Sequence, residues 1–133
     1  ANESNHQAMV SKGLVKVLMK LSQSPDPDVR EYATFNLANL ASNPDHLNAI
    51  GKAGGIVPLI ALAKSNNIHS QCLALAALRR LATFAENRAR LVRAGALPPL
   101  ASAGLSGEVE IQREVAACLC NISLDEEVRV DTA

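Results

Sequence analysis

Apolar residues recur along this chain at helical spacing, and the whole pattern then recurs at a longer step. Ala33, Leu37, Leu40 and Ala41 are answered by Ala74, Leu78, Leu81 and Ala82, and again by Val115, Leu119, Ile122 and Ser123. Steps of four, three and one keep such residues on one face of a helix and do not fit the alternation of a strand. Ahead of each set lies a second pattern. Ile50-Gly51-Lys52-Ala53-Gly54-Gly55-Ile56-Val57-Pro58-Leu59 recurs as Leu91-Val92-Arg93-Ala94-Gly95-Ala96-Leu97-Pro98-Pro99-Leu100, and a weaker copy runs from Met9 to Leu18. Glycines at 13, 54 and 95 and leucines at 18, 59 and 100 all step by 41 residues. A fixed period of this size marks stacked supersecondary units, here about 1–42, 43–83 and 84–124, with 125–133 as the stub of a fourth.

Each unit reads as three helices. A short helix (about 4–11, 45–52 and 86–93) ends at the repeated glycine, where positive φ can turn the chain. A second (about 14–23, 55–64 and 96–104) starts beside Pro58 and Pro98-Pro99, because proline suits a first turn whose N–H groups lack partners. A third and longer helix (about 27–42, 68–83 and 109–124) follows a bend rich in Ser, Asn, Asp, Pro and Gly, with starts at Asp26-Pro27 and Ser106. One such unit cannot bury its own apolar face, but stacking buries it against the next. The fold expected is an all-α solenoid, three repeats of three helices in a single segment over 1–133. No polar capping repeat is evident, so the chain reads as part of a longer array whose open ends are expected to self-associate.

Composition narrows the function. The 133 residues are 48% apolar, carry 13 basic and 13 acidic side chains, and are 2% aromatic with no Trp. That balance excludes a disordered segment and gives no bulk reason to seek nucleic acid or acidic lipid. No apolar run approaches the roughly 18 residues of a membrane span, and no signal peptide opens the chain, so no direct membrane insertion is expected. Three cysteines (Cys72, Cys118, Cys120) in apolar company favour a reducing, cytoplasmic or nuclear setting over a disulfide framework.

The unit signature Ile/Leu-x-x-Ala-Gly-x-Ile/Leu-x-Pro-Leu, followed by Ala-x-x-x-Leu-x-Asn-Leu/Ile-Ala/Ser, resembles the armadillo repeat. A two-helix HEAT-type unit fits less well, because the glycine splits each unit in three. The resemblance spans 1–133 and implies a right-handed superhelix whose third helices line a concave groove for extended peptides. It also implies an Asn on each third helix that bonds the peptide backbone, and often a Trp one turn earlier. A carboxamide donates and accepts, so it can pair with any peptide unit. Carried onto this chain, the Asn position holds Asn39, Arg80 and Asn121, and the Trp position holds Phe35, Ala76 and Ala117. Tyr32, Leu73 and Glu114 share that face, as do Ser42 and Asn43, Thr83 and Phe84, and Leu124 and Asp125.

The departures from the family pattern set the expected ligand. Without a Trp array there are no walls to sandwich Lys or Arg stems, so recognition of basic nuclear-import signals is not expected. Arg80 puts a fixed cation at mid-groove. Residues 79–93 hold five Arg and one Glu, whereas 124–133 hold four acids and one Arg. The reading is a protein-interaction scaffold that takes an extended, acidic or phosphorylated peptide. Its contact set is Tyr32, Phe35, Asn39, Asn43, Arg80, Phe84, Asn121 and Asp125, with Arg80 pairing bidentately with the acid. A solvated Arg80, or one paired with a neighbouring unit's acid, is the competing reading. Neighbouring helices lie roughly 8–10 Å apart, so Asn39 to Asn121 spans roughly five or six extended residues.

No enzyme site survives inspection, and no catalytic residue, cofactor or metal is expected. Gly51-Lys52-Ala53-Gly54-Gly55 lacks the Lys-Ser/Thr pair and preceding strand of a phosphate loop. His6, His46 and His69 are scattered and pair with no cysteine at metal-ligand spacing. Cys118 and Cys120 point to different sides of a helix, and Asn121-Ile122-Ser123 falls in a helix, a poor glycosylation acceptor. Acid groups such as Glu108, Glu110 and Asp125-Glu126-Glu127 sit at helix ends as solvated charges. Nucleic acid is not an expected partner, for the basic stretch is short and has only Phe84 for stacking. Three alternatives stay open: a recruiting segment of a larger enzyme, as in plant U-box ubiquitin ligases, a self-assembling structural fragment, and a nucleic-acid binder acting through Arg79–Arg93.

Overall fold

The computed structural model of the chain describes residues 2–124 and the side chains of residues 9–124. In order come α1 (Asn2–Leu21), α2 (Pro27–Leu40), a 3-10 turn (Pro44–His46), α3 (Leu47–Lys52), α4 (Ile56–Ala63), α5 (Ile68–Leu81), α6 (Ala85–Arg93), α7 (Leu97–Gly104) and α8 (Val109–Ile122). No strand occurs among the described residues. The three long helices α2, α5 and α8 each hold fourteen residues and start 41 residues apart. Central α5 packs against α2 on one side and α8 on the other, while α4 backs α5 and α7 backs α8.

The starts of the long helices share one device. Ser24, Ser65 and Ser106 each accept, through Oγ, the N–H of the residue two further on, at 3.1 Å in all three cases. That residue is the N-cap: Asp26, Asn67 or Glu108. Asp26 Oδ1 accepts from the N–H groups of Asp28 and Val29, and Asn67 Oδ1 accepts from Ser70, which satisfies first-turn donors with no helical partner. Glu108 makes no such bond, so Ser106 marks the approach to α8 and not its cap.

The short helices end as their glycines dictate, except in the first unit. Gly54 and Gly95 take φ of 86° and 80°. Gly55 N–H reaches Ile50 O at 2.9 Å and Gly54 N–H reaches Gly51 O at 3.2 Å, with the same pair of bonds at Ala96 and Gly95. This is the Schellman closure, which needs a residue free of Cβ strain at the left-handed position. At Gly13 the expected break is absent: α1 runs through it without positive φ. The residue after the turn is buried Gly55 or Ala96 in the later units, and a Cβ on Gly55 would already meet the Ile50 side chain at 2.6 Å. Leu14 is too large for that corner, and Lys16-Val17 replaces the proline that restarts the next helix, so the first described unit has two helices where three were expected.

The core is aliphatic and repeats with the helices. Leu18, Leu59 and Leu100 are buried, as are Leu37 and Leu78, Ala33 and Ala74, and Ile122. Each fully buried Leu or Ile contributes about 1.5–3 kcal/mol. Small Ala33, Ala38, Ala74 and Ala77 fill contacts where helices approach closely, in place of aromatic bulk. No single described helix is long and apolar enough to cross a membrane; Pro44–Lys52 and Ile56–Ala63 pass that test only together, bent by 100°.

Candidate peptide-binding surface

Because α2, α5 and α8 lie side by side, residues 41 apart become neighbours across the layer. Asn39 is exposed on the last turn of α2, and its side chain makes no hydrogen bond within the described residues. Arg80 is half-buried on the last turn of α5 and forms no ion pair among the described residues. Asn121 is half-buried on α8, where its Nδ2 donates to the Arg79 carbonyl at 3.1 Å. One of the two N–H donors of that amide is therefore engaged between the helices. The acid that competes for a cation here is Glu114, and it goes to the residue next to Arg80: Arg79 Nε meets Glu114 Oε2 at 2.7 Å. Successive helical residues point about 100° apart, so Arg79 reaches α8 while Arg80 is turned elsewhere.

Arg80 and Phe84 come together. They line a recess of about 230 Å³ with Ala41, Ser42, Pro44, Leu47 and Thr83. Thr83 donates through Oγ1 to the Arg80 carbonyl at 2.7 Å, and Phe84, at the N-cap position of α6, stays half exposed. Arg80 stands at a helix C-terminus, where the helix dipole favours a cation. Asn43 flanks the recess in sequence, and its Oδ1 accepts the Asp45 N–H at 3.0 Å, closing the 3-10 turn. Tyr32 is exposed and Phe35 half-buried on α2, and neither lines the recess. Asp125 lies outside the described residues.

Arg88 and Arg90 are built into the frame, whereas exposed Arg93 and Arg113 make no side-chain hydrogen bond or ion pair among the described residues. Arg88 donates from NH1 to the carbonyls of Ala82 and Thr83, capping the end of α5. Arg90 NH1 donates to Asn87 Oδ1 at 2.8 Å. Asn87 is buried and its Nδ2 lies 3.5 Å from the Leu47 carbonyl of the preceding unit. One unit earlier, His46 Nδ1 and Ser11 Oγ form the matching link at 2.7 Å. Sequence reading missed the links between units because they join residues 35 to 42 apart with no local signal. Burial pushes the Cys118 thiol up to about 12. Burial, and then Glu110, Glu114 and Glu108, raise Cys72. No three His, Cys, Asp or Glu gather into a metal-holding group among the described residues.

A second cleft runs along the opposite ends of the long helices. It holds about 780 Å³ between Lys64–Ile68 and Pro98–Ser106. A smaller version of about 270 Å³ sits one unit earlier, with Pro58 for Pro99 and Leu62 for Ala103. Fourteen helical residues, about 20 Å, separate this edge from Arg80.

Side-by-side long helices, backed by shorter ones and repeated at a constant step, define an all-α solenoid of stacked helical units. Residues 84–124 match the model of the Armadillo/beta-catenin-like repeat, and residues 14–43 match that of the HEAT repeat. The HEAT match falls on the unit whose first two helices are fused. The chain is 33% identical over 115 residues to Vacuolar protein 8 of Candida albicans, covering 86% of this chain and 20% of that protein. An engineered protein of known structure is 31% identical with a TM-score of 0.70, over 90% of this chain and 54% of that one. A designed armadillo repeat protein in complex with the peptide (KR)4 is 28% identical with a TM-score of 0.69, over 83% of this chain and 47% of that one. The chain thus spans a fifth of the curated relative it matches and about half of these engineered chains. Its match over 84–124 and its fold make the chain similar to armadillo-repeat proteins.

Proposed function

We propose that this chain is a scaffold that holds an extended acidic or phosphorylated peptide across α2 and α5, with Arg80 meeting the acid. The armadillo fold and its peptide-bound designed neighbour support a protein-binding role. The observation that carries the finer reading is the Arg80 recess: a cation with no acid partner among the described residues, beside an exposed ring. A carboxylate or phosphate accepts two parallel N–H bonds from a guanidinium, and partial burial strengthens that pair. Asn39 offers a donor and an acceptor for the peptide backbone one helix away. Asn121 contributes less, since one of its two N–H groups is engaged by Arg79 O. The neighbour's peptide (KR)4 is basic; on this chain Arg80 would repel such a ligand.

The test is a titration with hexapeptides that differ at one central position, carrying Glu, phosphoserine, Ala or Lys. Acidic and phosphorylated peptides bind the native chain and the Lys peptide does not. Arg80→Ala weakens the acidic peptide by about 1.5–3 kcal/mol, the scale of a hydrogen bond to a charged group, or roughly 10- to 150-fold. Equal affinity for all four peptides, or an unchanged Kd for Arg80→Ala, would sink the proposal.

A further inference from the structure

The recess beside Arg80 has hydroxyl groups on its wall, and an acid follows each of them at the same distance. Ser42 is exposed just past the end of α2, in the run Ser42-Asn43-Pro44-Asp45. It lines the recess together with Arg80, the one charged residue among those that do. Its Oγ donates to the backbone carbonyl of Asn39 at 2.7 Å. Asp45, three residues on, is exposed and forms no ion pair among the described residues. A carboxylate three residues after a hydroxyl is a charge pattern that acid-selecting Ser/Thr protein kinases read. Thr83, which is Ser42 shifted by 41, repeats both features: it lines the same recess and is followed by Glu86.

We infer that Ser42 is a phosphorylation site, and that the phosphate it gains pairs with Arg80 and closes the recess to other acids. What holds each segment favours Ser42 over Thr83. Arg88 donates to the carbonyls of Ala82 and Thr83 at 3.1 and 3.3 Å and pins that turn. Leu47 stands at the matching place one unit earlier, with no donor in its side chain. The Ser42 segment is therefore the freer of the two to enter a kinase cleft. In the transfer, Ser42 Oγ attacks the terminal phosphorus of a nucleoside triphosphate. A new O–P bond forms, the bond to the bridging oxygen breaks, and the nucleoside diphosphate leaves. The hydroxyl proton passes to the kinase's base. The esterified Oγ can no longer donate to the Asn39 carbonyl, so the side chain is released to turn. Its phosphate carries about 1.5–2 negative charges at pH 7 near the C-terminal end of α2, where the helix dipole opposes them. Arg80, across the junction, supplies the counter-charge. The pair gives the α2–α5 junction the cross-helix link that Arg79 and Glu114 give α5–α8. The blocking effect rests on the peptide reading above, whereas the phosphate–Arg80 pair does not.

The experiment treats the chain with an acid-selecting Ser/Thr kinase and ATP, locates the phosphate by mass spectrometry and titrates it by phosphorus NMR. Ser42 takes up phosphate, and Asp45→Asn slows that uptake at least tenfold. The second pKa of the phosphate, about 6 without a partner, falls by at least half a unit, and Arg80→Gln restores it. The phosphorylated chain binds the Glu hexapeptide at least tenfold more weakly than the untreated chain, and a phosphatase reverses the loss. No phosphate on Ser42 would overturn the inference, as would a phosphate pKa that is the same in the native chain and in Arg80→Gln. Unchanged hexapeptide affinity after phosphorylation would overturn the closure of the recess. A lowered phosphate pKa in a chain that never binds the hexapeptide would support the pair and sink the peptide reading instead.

Discussion

The α2–α5 and α5–α8 junctions are built from the same three long helices at the same step, yet they finish differently. At the second, Asn121 bonds the Arg79 carbonyl and Arg79 pairs with Glu114, so the polar groups facing the neighbour are engaged within the chain. At the first, the equivalent positions hold Ala38, Leu73 and Arg80; no cross-helix bond forms among them in the described residues, and a recess opens beside Arg80. A polar group satisfied inside the fold stabilises it and gains little from a ligand. One left to water gives up less on binding and is the better recognition element.

The layer behind shows the same contrast with the roles exchanged. Asn87 sits buried between units two and three, above Gly51, whereas His46 and Ser11 make the earlier link at its edge. A Cβ on Gly51 would overlap Asn87 Oδ1 and crowd Arg90 NH1. Gly51→Ala is therefore expected to have the largest effect on the fold, a loss of about 1–3 kcal/mol from overpacking and a broken buried hydrogen bond. Urea unfolding read by circular dichroism measures it, and an unchanged midpoint would show that Asn87 does not hold the junction.

A smaller effect tests the closed junction directly. Asn121→Ala should cost about 1 kcal/mol, and Glu114→Gln less than about 1 kcal/mol, since the ion pair is only partly buried. Neither change should weaken an acidic peptide bound at Arg80. A parallel loss of peptide affinity would mean that the two junctions act as one. The smallest change has the opposite sign. A Cβ on Gly13 meets nothing within 4 Å and φ there is not positive, so Gly13→Ala should stabilise α1 by about 0.5–1 kcal/mol. A loss of stability at that site would show that α1 needs to bend at Gly13 after all.

Much of the fold was legible because its determinants are local and repeated. Apolar spacing, the Gly54 and Gly95 turns, Pro58 and Pro99 and the Asp26 and Asn67 caps act within one or two helical turns, and the members of each pair lie 41 apart. Gly13 misled for a physical reason. Glycine permits a turn but does not impose one, and the residue after it must also fit the corner. The candidate site was less legible. The period put Asn39, Arg80 and Asn121 at equivalent positions of α2, α5 and α8, and Arg80 and Phe84 line one recess, which Asn39 and Asn121 do not. The identity of each residue's neighbour did not follow from it, since Arg79, and not Arg80, took Glu114.

Helix positions, their order and the shared faces were determined along the chain itself, by periodicity and by capping chemistry that reaches only a few residues. Which polar group is engaged and which is left to meet a partner was decided only when α2, α5 and α8 came side by side. That outcome depends on the azimuth of each side chain to within one residue's 100° turn, and on distances of a few ångströms between helices some 40 residues apart.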